Sequence, residues 1–397
     1  METEQINPRV LMFPWLAHGH IFPYLELAKK LSLKNFQIYF CSTAINLSSI
    51  SKAIEKNYFN ISIELVELLL PSWPELPPHY HTTKNVPLNL LPKLLQAFQM
   101  SSSNFSDIIN TLKPDLLLYD LFQPWSAGLA SSLGIPAVHF SSAGAIAYTF
   151  YHHEFTYGNA AFPYPAIYLR DYERINWNFR SIIKDAGEDF VFGNYKQSCE
   201  IVLMNSCKAI EGNENYLSNE QIEEMARGLE LCDVNFIWVV RFPVGNTTRV
   251  EETLPEGFLE RVKERGIIVQ DWAPQAKILA HQSIGGFVSH CGWSSIVESI
   301  YFGVPVIAMP LKLDQPLNAR LMVEHGAAIE VMRNDGGRFN GEDLAKAIKI
   351  VVLEKTGDGM RSKAIELSSR MKDEEEVAMN EISEKLLQLC IKYKQKQ

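Results

Sequence analysis

Apolar residues fall into two alternating rhythms along the first half of the chain. "RVLMFPW", from Arg9, is a continuous apolar run of buried-strand length, and "IFPYLELAKKLSL" after it places Leu25, Leu27, Ala28 and Leu31 at helical spacing. "FQIYFCST" and "IELVELLL" predict two more strands, and a Pro-rich loop, "PSWPELPPHYHTT", leads to a helical "LNLLPKLLQAFQM". "DLLLYD", from Asp115 to Asp120, and "PAVHFSS" predict further strands, and "EIVLMNS" reads as another. Continuous apolar strands separated by helices imply parallel pairing, with both faces of the sheet covered.

The second half repeats the pattern. "NEQIEEMARGLEL" predicts a helix capped by Asn219, with Ile222, Met225, Ala226 and Leu229 on one face. "NFIWVVRF", "GIIVQDW", "GGFVSH" and "VPVIAMP" predict strands, and the charged stretch from "GEDLAKAIKIVVLEK" to "EISEKLLQLCIKY" predicts helices. The expectation is an α/β protein of two doubly wound, Rossmann-like domains, residues 1–218 and 219–397, facing a cleft, with the last helices packing back on the first domain. At 397 residues the chain exceeds what one core organises.

Composition narrows the ligand. A net charge of -9 argues against a nucleic-acid surface, which needs concentrated positive charge. The N-terminus carries acids where a signal peptide carries bases, and no apolar run reaches bilayer length, so a cytoplasmic protein without membrane insertion is expected. The six cysteines are scattered with no CxxC pair, which suggests neither a zinc site nor a disulfide framework.

The candidate chemistry concentrates in "HCGWSSIVESIYFGVPVIAMPLKLDQ", His290 to Gln315. A strand ending at His290, a turn through Gly292 and a helix from Trp293 put free N–H groups and a helix dipole where an anion can bind. Ser294 and Ser295 add hydroxyl donors there, or simply cap the helix. Glu298 shares their helix face; a carboxylate beside a phosphate repels it unless it accepts from something else, such as ribose hydroxyls. Upstream, Trp272, Ala273 and Gln275 follow a strand end, and downstream Asp314 and Gln315 follow another, where a carboxylate and an amide can read sugar hydroxyls.

As one block, "WAPQAKILAHQSIGGFVSHCGWSSIVESIYFGVPVIAMPLKLDQ" resembles the nucleotide-sugar box of plant UDP-dependent glycosyltransferases (family 1, GT-B type), without insertion. The resemblance implies Trp272 stacking on uracil, with Ala273 beside it, and Gln275 and Glu298 on ribose. It assigns His290, Ser294, Ser295 and the Trp293 backbone at the Gly292 turn to the diphosphate, and Asp314 and Gln315 to the sugar. Position 294 is serine where the family usually has asparagine, so a weaker or shifted phosphate contact is expected. Gln315 is the choice the family associates with glucose.

Sugar transfer to a hydroxyl needs a base. "AHGHIFP" offers His18 and His20; the pair has no further ligands for a metal nearby, and no DxD motif holds one for the diphosphate, so no metal and no cofactor are expected. The family's base is the histidine of a Gly-His pair, here His20, and its orienting carboxylate matches Asp120. Asp115 opens the same strand and belongs at the wrong edge.

Segments such as "FPWLAHGHIFPYLELAKKL" and "YDLFQPWSAGLASSLGIPA" look most like the branch-forming group, which adds a sugar to a sugar already on a flavonoid, lignan or terpenoid. The implied activity is inverting transfer of glucose from UDP-glucose to a small glycoside by a monomer. One departure stands out: between "EIVLMNS" and the helix at Asn219 the family carries several tens of residues, comprising the last strand of the first domain, the interdomain linker and the first strand of the second domain. Here "CKAIEGNENYLS" is all there is, and a real deletion removes a central strand. That leaves a non-catalytic UDP-sugar-binding homologue as the rival reading, beside the same reaction with another UDP-sugar or an aglycone acceptor. A nicotinamide-dependent oxidoreductase needs G-x-G-x-x-G after a strand, which the chain does not contain.

Overall fold

Strand β1 (Arg9–Phe13) sends Val10 and Met12 into one apolar cluster and Leu11 and Phe13 into another, the period-2 alternation of a strand covered on both faces. The same division runs through β4 (Leu116–Tyr119), with Leu116 and Leu118 on one side and Leu117 and Tyr119 on the other. The computed structural model describes residues 7–55, 61–158, 160–175, 193–205, 217–240, 249–270 and 273–395. The interval between "EIVLMNS" and the helix at Asn219 lies almost entirely outside them, as does Trp272.

The chain divides into two compact units, Met1–Ala143 with Phe179–Gly212 and Glu374–Gln397, and Gly144–Asn178 with Asn213–Asp373. In the first, six parallel strands lie in the order β3-β2-β1-β4-β5-β6, where β2 is Gln37–Ser42, β3 Ile63–Glu67, β5 Ala137–Ser141 and β6 Val202–Met204. Connections from β1 run one way across the sheet and those from β4 the other, so the carboxyl ends of β1 and β4 form its switch point. Helix His18–Ser32 covers one face with Tyr24, Leu25, Ala28 and Leu31, joined by Leu386, Leu389 and Cys390.

In the second unit, β7 (Phe236–Val240) pairs in parallel with β8 (Gly266–Gln270). Separately, β9 (Phe287–Ser289), β10 (Val306–Ala308) and β11 (Ala328–Glu330) form a sheet in the order β11-β10-β9. Helix Asn219–Leu231 packs on helix Gly341–Leu353 so closely that a Cβ on Gly341 meets the Gly228 nitrogen at 2.8 Å. Its cap is Ser218, not Asn219. Ser218 has the extended backbone of an N-cap and accepts from Gln221 N–H, while the Gln221 side chain accepts from Ser218 N–H in return.

The division at residue 218 also needs correcting, because residues 144–178 group with the second unit. Buried Arg320 donates to both carboxylate oxygens of Glu173 at 2.8 Å and stacks on Tyr168, and Arg170 forks onto Glu330. Tyr151 hydroxyl donates to Leu313 O at 2.9 Å. These bidentate and ring contacts hold the segment where its sequence position does not. No helix among the described residues is long and apolar enough to cross a membrane.

Candidate functional site

The switch point of the first sheet brings His20 and Asp120 together. Asp120 follows β4 directly and His20 stands in the first turn of the helix after β1, and neighbouring parallel strands deliver their ends to the same edge. His20 Nδ1 lies 2.7 Å from Asp120 Oδ2. The carboxylate is buried, whereas His20 keeps 23% of its side-chain surface exposed. Burial pushes the Asp120 carboxyl upward, but the His20 ring and its hydrogen bond, with the N–H groups of Trp15 and Leu121, bring it below the ordinary carboxylate range. An ionised Asp120 fixes the proton on Nδ1 and leaves Nε2 as the basic nitrogen.

Ser142, which the sequence reading missed, puts its Oγ 2.9 Å from the same Nδ1 as a second acceptor. It follows β5, the next strand along, and that position was the signal that could have found it. Asp115 sits at the opposite edge, accepting from Arg9 N–H and paired with Lys394. His18 packs edge-on against Phe22, and burial, helped by Lys84, lowers its pKa to about 4. Among the described residues no group of three or more His, Cys, Asp or Glu is placed to hold a metal.

In the second unit, β9 ends in a tight turn at Cys291, which holds φ at 64° without being glycine. The turn is pinned by Cys291 N–H to Ser289 Oγ and by Asn318 Nδ2 to Cys291 O, both at 3.1 Å. His290 folds back over Gly292, where a Cβ would meet its Nε2 at 2.5 Å, so any other residue there displaces the imidazole. Trp293 lies over Gly144 in the same way. The helix Trp293–Tyr301 starts with no side-chain cap and no acid in its first turn, and its own ladder begins with Ile296 N–H to Gly292 O. Ser294 and Ser295 occupy that first turn, a place that favours negative charge.

Glu298 is not a solvated helix residue: it is 1% exposed, and Gln275 Nε2 donates to its Oε2 at 2.6 Å. The two residues assigned to ribose therefore meet. Ala273 is buried just ahead of Gln275. Asp314 accepts from Asn318 at 2.8 Å and follows Leu313, a second non-glycine residue with positive φ. Gln315 is turned partly inward. Its Oε1 accepts from Leu311 and Lys312 N–H, at 2.9 and 3.0 Å, so only its own N–H groups remain to offer a sugar.

A family model for UDP-glucoronosyl and UDP-glucosyl transferases matches residues 210–377. The chain is 44% identical to the beta-D-glucosyl crocetin beta-1,6-glucosyltransferase of Gardenia jasminoides over 95% of this chain and 98% of that one. It is 42% identical to a mogroside IIIx synthase of Siraitia grosvenorii over 94% and 96%. UDP-glucosyltransferase 29 of Panax ginseng is 40% identical over the full length of both, but the alignment spans 456 positions against 397 residues here, so at least 59 (456 minus 397) have no counterpart. Among solved structures, Glycyrrhiza uralensis UGT73P12 complexed with glycyrrhetinic acid 3-O-monoglucuronide superposes with a TM-score of 0.81 at 20% identity, covering 98% of this chain and 97% of that one. Phytolacca americana UGT2 complexed with UDP-2fluoro-glucose and pterostilbene gives 0.76 at 23%, covering 96% and 99%, and both likenesses show the GT-B fold. Sustained identity above two fifths along nearly the whole chain, on a fold shared with these structures, makes this protein a member of the UDP-glycosyltransferase family.

Proposed function

We propose that the chain moves glucose from UDP-glucose to a hydroxyl of a small plant glycoside, with inversion at the anomeric carbon. The observation that carries this reading is the His20–Asp120 pair, a partly exposed imidazole tied at 2.7 Å to a buried, ionised carboxylate at the switch point of its sheet. Relatives whose names specify a glycoside acceptor, the crocetin glucoside enzyme foremost, support the choice of acceptor. The proposed site of action is the cytoplasm, and the proposed working form is a monomer.

In this reading His20 Nε2 takes the proton of the acceptor hydroxyl as its oxygen bonds to the anomeric carbon. The bond from that carbon to the β-phosphate oxygen breaks, and UDP leaves with the electron pair. Asp120 stabilises the imidazolium that forms, and Ser142 helps hold its orientation. The uncapped helix at Trp293, with Ser294, Ser295 and His290, takes the charge developing on the diphosphate. Gln275 and Glu298 accept from the ribose hydroxyls, Asp314 and the Gln315 amide N–H groups read the sugar, and Trp272 stacks on the base.

The test is incubation of the intact chain with UDP-glucose and a panel of plant glycosides and their aglycones, with products read by mass spectrometry and linkage by NMR. A β-linked hexose on the glycoside, lost in His20→Ala while UDP still binds, is the expected result. The split sheet of the second unit favours the rival, a UDP-sugar-binding protein without activity. UDP binding with no transfer to any acceptor would select it.

A further inference from the structure

Two turns of the second unit carry residues assigned to the donor, one at Trp293 and one at Leu313, and a single helix touches both. That helix, Ala145–Tyr157, follows β5 in the chain but belongs to the second unit, which begins at Gly144. At its N-cap, Gly144 stands against the Trp293 indole, where a Cβ would meet Cδ2 at 2.7 Å and Cε3 at 2.8 Å. The φ of Gly144 is an ordinary -66°, so the close approach, not the backbone, calls for glycine. Seven residues on (151 minus 144), the Tyr151 hydroxyl donates to Leu313 O at 2.9 Å. Seven residues make two helical turns, so Gly144 and Tyr151 share one face roughly 10 Å apart, with Ala147 buried between them.

The turn at Leu313 needs a hold of this kind. Leu313 keeps φ at 56° without being glycine, and it is 50% exposed, so its own packing does not fix that conformation. Asp314 and Gln315 come next. Gln315 Oε1 accepts from Leu311 and Lys312 N–H, and Asp314 Oδ2 accepts from Asn318 Nδ2, so the aim of both side chains follows the backbone on either side of Leu313. Burial, and after it the Asp314 carboxylate, hold the Tyr151 hydroxyl far above the usual phenol range, which keeps it a donor. The helix is itself anchored: Arg320 donates to Glu173 and to Tyr168 O, and Arg174 pairs with Glu154 on the helix.

We infer that Tyr151 is a positioning residue for the donor sugar: by fixing Leu313 O it sets the aim of Asp314 and Gln315 at the hexose, a role that rests on the proposed assignment of those two side chains to the sugar. Tyr151 acts through the turn and is not required to touch a reacting atom. The consequence separates the two halves of the donor. Loss of the hydroxyl weakens the hold on the hexose and leaves the nucleotide as it was, because the diphosphate turn is held at Gly144 and not at Tyr151.

Calorimetric titration of the intact chain with UDP-glucose and, separately, with UDP reads this as a ratio of two affinities. Tyr151→Phe keeps the ring and should lower the ratio by about three- to tenfold, the worth of one neutral hydrogen bond, with UDP affinity unchanged. In steady-state transfer the same loss should appear as a higher KM for UDP-glucose, with kcat within about twofold. Asp314→Ala should lower the ratio too, and Tyr151→Phe added to it should change the ratio by less than about twofold more, because the two act through one turn. An unchanged ratio in Tyr151→Phe, with Asp314→Ala lowering it, overturns the inference and leaves the sugar assignment standing. UDP and UDP-glucose weakening together in Tyr151→Phe also overturns it, since the tyrosine then holds the fold and not the sugar. Full additivity of the two substitutions removes the route through the turn, and an unchanged ratio in Asp314→Ala removes the sugar assignment and the inference with it.

Discussion

Strands β4 and β9 hold the same place in their two units, yet only one is built as a sheet centre. β4 has a bonded strand on each edge and apolar clusters on both faces, so Leu116, Leu117, Leu118 and Tyr119 lose all contact with water. β9 has one bonded edge, and Phe287 and Val288 keep part of their surface. The difference teaches that a parallel sheet buries its strands through neighbours as much as through helices. It also separates the two sites: the first unit presents an assembled His20–Asp120 pair, and the second presents a well-pinned turn beside a strand with one bonded edge.

The sharpest test of that pair is Asp120→Asn, which keeps the shape and removes the charge. Transfer should fall by about a thousandfold, since His20 loses both its tautomer and the partner of its imidazolium. Steady-state kinetics with UDP affinity measured alongside checks it, and unchanged UDP binding is expected. A drop in UDP affinity of similar size would mean that the two units' sites are not separable in this way.

The contrast between sheet centres can be broken directly with one substitution in each. Val10→Ala, in fully buried β1, should cost about 2–3 kcal/mol, and Val288→Ala, in half-buried β9, about half as much. Urea unfolding followed by peptide-resolved hydrogen exchange assigns each loss to its unit. Equal costs would show that β9 packs as a central strand after all.

Protonation distinguishes the first unit further. His139 on β5 is fully buried among Tyr119 and Tyr195, and burial lowers its pKa to about 4 despite the nearby Asp120 and the Tyr119 backbone. The unfolded chain, with an ordinary value near 6.5, binds the proton first. Stability therefore falls as pH drops from about 6.5 toward 4, by about 2 kcal/mol between pH 7.5 and 5. His139→Leu should flatten that limb in urea titrations at several pH values. Asp120 acts in the same sense in stronger acid: its lowered pKa contributes stability that is present above the usual carboxylate range and is lost as pH falls below it.

Most of this architecture was legible in the sequence, because continuous apolar runs such as "RVLMF" and "DLLLYD" have only one stable environment, the interior of a parallel sheet. The Gly292 turn and Asp120 were legible for a related reason, since residues at the carboxyl ends of parallel strands meet at a switch point, whereas the choice of His20 and the role of Glu298 came from the family resemblance. The attachment of residues 144–178 was not. It depends on Arg320 finding Glu173 across 147 positions and on Trp293 lying over Gly144, contacts that leave no local periodicity. The Ser218 cap was missed because two capping residues stand side by side and only the reciprocal bond with Gln221 decides between them. Gln315 reads as a sugar ligand from type and position alone. Its two bonds to the 311–312 backbone need coordinates.

Ser142 gives the finest division between a residue that acts and one that positions. It shares the Nδ1 proton with Asp120, at 2.9 against 2.7 Å, but carries no charge, so it cannot stabilise an imidazolium as the carboxylate does. What it can do is narrow the orientations open to the ring. Ser142→Ala should therefore lower kcat by about three- to tenfold, close to the worth of one neutral hydrogen bond, with KM and UDP affinity unchanged. The acid limb of the pH profile should stay in place, because Asp120 still sets the charge state. A shifted limb would instead make the hydroxyl part of the titrating unit, and the base would then be a triad whose third member lies on β5.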